Sequence, residues 1–311
     1  MKTIAIICPV YNEEENIENF YNKFSQEIEK KKLQKRYNFY FIFSDNHSTD
    51  NSKVIIKKIA DKFTNIGIIF FSRNFGVMKS IFTSIRCLQS KIDACLIFDC
   101  DLQDPTYLLN EFIIKWEEGN KIVYGIRENR KEKSVLKYLR KIFKKIDLFF
   151  RGYKVKIESG AWLLDKVIIE QFKKSNFDQY LPGLISRFGF KSASIKYDRL
   201  ERKKGKTKFN LQSYLSYALD GIFNGSITPL RISLICCFFF SISFFFSSIY
   251  FLIAKFFLKI YFNEGVAAIA IICLFGFSIT FFILSIICEY IGKIYQSKFE
   301  PDDAIIEEIN I

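Results

Sequence analysis

The chain has 311 residues, 46 Lys+Arg against 33 Asp+Glu, a formal net charge of +13 and a half-hydrophobic composition with 36 Phe. That much apolar and aromatic surface excludes a disordered chain. A single His excludes His-rich metal sites and leaves a Ser/His/Asp triad dependent on His47, and eight Cys without a CxxC pair read as buried reduced thiols.

The opening MKTIAIICPVYN has an apolar stretch, but Pro9 and an acidic run follow with no small-residue cleavage site, so it reads as a buried strand rather than a signal peptide. Glu14 to Lys32 has helical composition. NFYFIFSD is a second strand, Asp50 to Phe63 a helix, IGIIFFS a third strand, Val77 to Leu88 a helix and ACLIFDCD a fourth strand. Strand–helix alternation with apolar strands predicts an α/β fold on a mostly parallel sheet covered on both faces. In such sheets ligands bind at the carboxyl ends of the strands. Polar clusters fall at those ends: YNEEEN, SDNHSTD, SRNFG and DCDLQDP. Four in register argue for one composite site.

DCDLQDP is the most informative. Asp99 and Asp101 are two apart at the end of an apolar strand, where i and i+2 share a side. Paired carboxylates repel unless a cation lies near them, and hard oxygen ligands suit Mg2+ or Mn2+. Gln103 adds a neutral oxygen. Asp104 before Pro105 reads as a helix cap. In SDNHSTD, Thr49 and Asp50 read as turn and cap residues and His47 as a turn residue, while Asp45 ends its strand, where a carboxylate can accept from a base or ribose.

Residues 121–156 hold 13 Lys+Arg against 3 Asp+Glu, a net of +10. Near 133–150 the apolar residues Val135, Leu139, Ile142, Phe143 and Ile146 have helical spacing with basic residues between, the pattern of an interfacial helix on anionic lipid. Nucleic acid is the rival partner for such a patch, and two apolar spans in the same chain argue against it. LQSYLSYALDGIF, within 211–229, has a juxtamembrane amphipathic pattern. The loop ERKKGKTKFN reads either as a phosphate contact through Arg202, Lys206 and Lys208 or as topology-setting charge.

Ile232 to Ala254 and Val266 to Cys288 are each 23 residues without a charge. A helix needs about 20 residues to cross a bilayer core. The two runs predict a transmembrane hairpin within 230–290 and a tail over 291–311. The basic residues before the first run place the large domain, 1–210, in the cytoplasm, making this a multi-pass protein of the inner (cytoplasmic) membrane.

PVYNEEENI, SDNHSTDNS, SRNFG, DCDLQDP, VYGIRENR and RKKGKTKF together resemble family 2 glycosyltransferases of the GT-A, Rossmann-like fold. More narrowly, the chain is similar to polyprenyl-phosphate glycosyltransferases, of the dolichol-phosphate mannosyltransferase and bactoprenol glucosyltransferase types. The resemblance implies an inverting transfer from a nucleotide sugar, with UDP favoured over GDP, to an undecaprenyl-type phosphate, for surface polysaccharide synthesis or modification. It implies that Pro9, Tyr11, Glu13, Asp45 and Asp99 bind the donor nucleotide. Asp99, Asp101 and Gln103 would hold Mg2+ or Mn2+. Arg127, Arg202 and Lys208 would meet phosphates, with Asp101, Arg127 and Lys208 at the centre of catalysis. The sequence departs from the family at Asp45-Asn46-His47-Ser48 (often D-D-G-S), at Ser159 to Leu163 (often G-D-F-R-L) and at Tyr180 to Gly183 (Y-x-R-G). These departures bear on the acceptor more than on the donor. The alternatives are a non-catalytic membrane scaffold that binds nucleotide sugars, and a glycosyltransferase with another membrane acceptor. Homo-oligomerisation is left open.

Overall fold

A computed structural model describes residues 1–127, 160–176, 180–200, 239, 253, 265–299 and 303–311. The expected interfacial helix near 133–150, the 211–229 segment, most of the first apolar run, Arg202 and Lys208 lie outside the described residues. The chain forms two compact units, 1–148 with 153–221 and 301–311, and 149–152 with 222–300.

The first unit is built on an eight-stranded sheet. In chain order its elements are β1 (Lys2–Val10), α1 (Ile17–Lys30), β2 (Tyr37–Asp45), α2 (Ser52–Lys62), β3 (Ile66–Phe71), α3 (Val77–Arg86), β4 (Ala94–Ile97), α4 (Leu108–Glu117), β5 (Ile122–Arg127), β6 (Trp162–Asp165), α5 (Lys166–Lys174), α6 (Leu181–Arg187), β7 (Ser192–Tyr197) and, beyond the second unit, β8 (Ile306–Asn310). The order across the sheet is β7-β5-β6-β4-β1-β2-β3-β8. The β4-β1-β2-β3 block is parallel, as alternation implies, but β6 and β8 run antiparallel to their neighbours, so the sheet is mixed.

The strands are apolar on both faces because both are covered. Along β1, Ile4, Ile6, Cys8 and Val10 enter the core under α1, α2 and α4. Ala5 and Ile7 enter the opposite core under α3, α5 and α6. The helices supply matching stripes: Phe20 and Phe24 on α1, with ring centroids 4.5 Å apart, and Phe82 of α3 against Phe172 of α5 at 5.6 Å. Each fully buried Phe contributes about 1.5–3 kcal/mol of transfer free energy. The described cysteines form no disulfide.

The end of the chain folds differently from a simple tail. β8 pairs with β3, and the segment before it is anchored to α3 by Ala304 N–H donating to Thr83 Oγ1 at 2.8 Å. Lys53–Glu307 and Lys57–Glu308 ion pairs lie along its outer side. β8 covers the edge that β3 would otherwise expose.

The second unit contains α7 (Gly265–Phe299), a 35-residue helix about 52 Å long at 1.5 Å per residue. It holds the second uncharged run and continues through Glu289, so the expected tail is a helical extension followed by a sheet strand. Ile269, Phe277, Phe281, Phe282, Leu284, Ile291 and Ile294 are exposed on it. Among the described residues no helix is long and apolar enough to cross a membrane. The first run falls almost wholly outside that set, and the side chains of α7 fall within it only in part.

Candidate active site

The parallel register brings the ends of β1, β2 and β4 level. Val10 lies opposite Asp45 and Ile7 opposite Ile97, so Pro9, Tyr11, Asp45 and Asp99 emerge at one edge. β4 leaves the sheet at Ile97, earlier than its apolar run suggests, and DCDLQDP is a loop.

Backbone strain concentrates here. Asn12, His47 and Leu102, one at each of these strand ends, have φ of 53°, 62° and 55°. Non-glycine residues rarely adopt this region, least of all a Leu, and such residues cluster at functional sites. Hydrogen bonds between the β1–α1 and β2–α2 loops hold the strained turns. Asn12 N–H donates to Ser48 Oγ, Thr49 N–H to Asn12 Oδ1, Glu13 N–H to Ser52 Oγ, and Asn51 N–H to Glu14 Oε2. Thr49, a turn residue by sequence, and Asn51 therefore join two loops of the site. Asp50 accepts from Ser52 N–H and Glu14 N–H.

Asp45 is 1% exposed. Its carboxylate accepts from the backbone N–H and the hydroxyl of Ser48. Burial raises its pKa, and the two Ser48 bonds oppose the rise. Ser48 was not among the expected site residues, although it stands in the polar turn directly after a strand-end Asp. Asn46, which replaces the family's second Asp, donates to Asn74 Oδ1 at 2.7 Å and accepts from Phe75 N–H. An ionised Asp could not donate that bond. The departure at Asn46 is thus matched by Asn74 of the SRNFG cluster.

Asp99, Asp101 and Gln103 share the β4–α4 loop. Asp101 Oδ1 accepts from Gln103 N–H at 3.1 Å, and the Gln103 amide donates to Leu200 O at 3.4 Å. Leu200 N–H returns a bond to Gln103 O at 2.9 Å, which ties the end of the segment after β7 to this loop. The Asp99 side chain is 44% exposed. Partial desolvation, then the neighbouring Asp104 and Asp101 carboxylates, push its pKa up to about 6, against the pull of Arg127 and Arg199. Crowded carboxylates with an oxygen amide beside them are a donor set that fits Mg2+ or Mn2+. Among the described residues no three His, Cys, Asp or Glu are placed to hold a metal ion together, so a cation here would complete its shell with Gln103, water or ligand oxygens.

Arg127, at the end of β5, is 10% exposed at its side chain. Its Nη2 donates to both oxygens of Asp104 at 3.1 Å, and its Nε to Tyr197 Oη at 2.9 Å. Tyr197 donates in turn to Asp104 Oδ1 at 2.6 Å. Asp104, expected to be a cap, is a buried counter-ion instead. Tyr107 is the residue that precedes α4. Thus the structure gathers Pro9, Tyr11, Glu13, Asp45, Asp99, Asp101, Gln103 and Arg127 at one edge, and adds Ser48, Asn46, Asp104 and Tyr197.

This geometry has counterparts. Residues 5–172 match the family model described as Glycosyl transferase family 2. A prophage bactoprenol glucosyl transferase homolog of Escherichia coli (strain K12) is 32% identical, covering 74% of this chain and 74% of that protein. A bactoprenol glucosyl transferase of Shigella phage SfV is 29% identical, covering 98% of each. Among solved structures, glucosyl-3-phosphoglycerate synthase from Mycobacterium tuberculosis, in complex with Mn2+, UDP and glucosyl-3-phosphoglycerate, superposes with a TM-score of 0.50 at 16% identity, over 72% of this chain and 78% of that one. With its GT-A α/β fold on a mixed sheet and its polar strand ends on one edge, the chain belongs to glycosyltransferase family 2 and is a glycosyltransferase of the bactoprenol glucosyltransferase-like group.

Proposed function

We propose that the protein transfers a sugar from a nucleotide diphosphate sugar to a polyprenyl phosphate of the undecaprenyl type. The observation that carries this reading is the convergence of Asp45, the Asp99–Asp101–Gln103 loop and Arg127 on one sheet edge. Relatives named bactoprenol glucosyl transferase support a polyprenyl phosphate acceptor, and a UDP-sugar is the donor favoured in this reading.

In this reading an oxygen of the lipid phosphate attacks the anomeric carbon from the side opposite the diphosphate. The new carbon–oxygen bond forms, the bond to the diphosphate breaks, and the nucleoside diphosphate leaves with inversion at the sugar. A phosphate monoester has its second pKa near ~6, so the attacking oxygen is already charged and needs no protein base. That fits the missing carboxylate at the position of the G-D-F-R-L motif. Asp99, Asp101 and Gln103 would hold Mg2+ or Mn2+, which supplies charge neutralisation on the departing diphosphate. Arg127 is assigned to the acceptor phosphate, and Arg202 and Lys208 to the donor phosphates.

A membrane hairpin formed by 232–254 and 266–288 is part of the proposal. Residues on both sides of 222–300 belong to the first unit, so a segment that crosses a bilayer there must do so an even number of times. The two uncharged runs supply two passes, and the exposed apolar side chains of α7 suit contact with lipid. The basic flank puts the first unit in the cytoplasm, and the +10 segment would rest on anionic headgroups.

The test uses the full chain in vesicles containing undecaprenyl phosphate, supplied with a panel of nucleotide sugars and either Mg2+ or Mn2+. A lipid-linked sugar from a UDP-sugar is the expected product. Binding of a nucleotide sugar without transfer to any polyprenyl phosphate would favour the scaffold alternative.

A further inference from the structure

Arg127, Asp104 and Tyr197 form a closed ring of hydrogen bonds. Asp104 is 1% exposed, and Tyr197 is buried beside it. Packing leaves the ring no slack: a Cβ added at Gly125 would stand 2.5 Å from the Tyr197 ring, and one at Gly160 would stand 3.1 Å from Tyr197 Oη and 3.3 Å from Arg127 Nη2. The same Nη2 lies 3.9 Å from Asp99 Oδ2. A contact guanidinium–carboxylate pair closes to about 2.7–2.9 Å. Arg127 therefore stops roughly 1 Å short of Asp99, and the atoms that stop it belong to Asp104 and Tyr197.

We propose that Asp104 and Tyr197 are positioning residues that hold the Arg127 guanidinium back from Asp99, keeping the Asp99 carboxylate available to a divalent cation. This rests on the reading of Asp99 as a cation ligand. Asp104 competes for Arg127 by charge, and it wins because it is buried and offers both oxygens to one nitrogen. Tyr197 takes Nε and so fixes the plane of the guanidinium. Without the counter-ion, the guanidinium closes on Asp99 and occupies the carboxylate that the cation would use.

Binding of Mn2+ alone and in the presence of UDP, followed by electron paramagnetic resonance on the full-length protein, tests this without any turnover. Asp104→Asn should weaken Mn2+ binding by about tenfold or more, the scale of a charge-assisted bond gained by Asp99. Tyr197→Phe should weaken it by about threefold, since one neutral hydroxyl is lost. The deciding variant is Asp104→Asn combined with Arg127→Gln. With the competing guanidinium gone, Mn2+ affinity should return to within about threefold of the native protein, although a second buried group has been changed. A merely structural role predicts that the double variant is no better than the single one. That result, or native Mn2+ affinity in Asp104→Asn, overturns the proposal. Should Asp104→Asn fail to fold, Tyr197→Phe decides, and unchanged affinity there is a refutation. A native protein that takes up no Mn2+ even with UDP sinks the cation reading of the loop and this inference with it.

Discussion

Replacing Ser48 by Ala tests how the β1–α1 and β2–α2 loops are held. The Ser48 hydroxyl donates to the buried Asp45 carboxylate and accepts from Asn12 N–H at 2.8 Å. A bond to a charged group contributes about 1.5–3 kcal/mol and a neutral one about 0.5–1.5. The Ser48 N–H bond to Asp45 at 3.0 Å survives, as do the contacts of Thr49, Asn51 and Ser52 with the opposite loop. The loss should therefore lie near the lower end of the sum, about 2 kcal/mol. Its pH dependence has a definite sign. Asp45 has a folded pKa raised above its unfolded value, so the folded state holds more protons and its stability falls as pH rises between the two values. Removing a donor that favours the charged form raises the folded value further. The deficit of Ser48→Ala should thus be small in acid, where the carboxyl is protonated, and grow to its full size once pH passes the folded pKa. Urea titrations of the two proteins across that range measure it, and calorimetric titration with UDP reports whether the loops have loosened. Ser48→Thr keeps the hydroxyl and should behave as native. A Ser48→Thr protein as weak as Ser48→Ala, or a deficit largest in acid, would refute the reasoning.

Asp165 begins α5, accepting from Val167 N–H, and also takes the buried Trp116 indole N–H at 2.7 Å and Lys121 at 3.0 Å. Burial alone would raise its pKa, but these bonds outweigh it and hold it below the usual range. Asp165→Ala should cost about 2–4 kcal/mol in urea denaturation, from a lost cap and an orphaned indole donor. Its contribution should be intact above the ordinary carboxyl pKa and vanish as pH falls through the lowered folded value. Gly125→Ala should destabilise by about 1–3 kcal/mol through overpacking, and should lower turnover more than the same loss elsewhere, because Tyr197 must move. Truncation after Ser226 should destabilise the first unit as well as removing the second, since it deletes β8. Joining residue 221 to residue 301 by a long flexible linker keeps β8, and that protein should melt near the native temperature while any binding to anionic vesicles, left to the basic segment alone, becomes reversible by salt. Equal melting of both truncated forms would argue against a stabilising β8.

Much of the core was legible because it depends on local pattern. β1, β2 and β3 are apolar runs bounded by polar clusters, and α2 and α3 follow at the expected spacing. Residues two apart, such as Asp99 and Asp101, or in a strand-end cluster, such as Asp45, could be read as a site for the same reason. What was missed depends on distant partners. Asp104 precedes Pro105 and looks local, yet its partners are Arg127 and Tyr197, on strands formed later in the chain. β8 carries Glu307 and Glu308 in a short acidic stretch, and becomes a strand only because β3 has an open edge and Lys53 and Lys57 stand beside it. β4 ends before its apolar run does because Phe98 and Cys100 fill the core from the loop rather than from the sheet.

The most direct test of the central claim is transfer by Asp101→Asn beside the native protein, in vesicles holding undecaprenyl phosphate and the active nucleotide sugar with Mn2+. Replacing one carboxylate oxygen by an amide keeps the size of the side chain, including an oxygen that can accept the Gln103 N–H bond, and removes the charge assigned to the cation. The account predicts a folded, membrane-bound protein whose transfer falls by about a hundredfold or more, in the range of losing one group that stabilises charge in the transition state. Near-native transfer by this variant at saturating Mn2+ would contradict it.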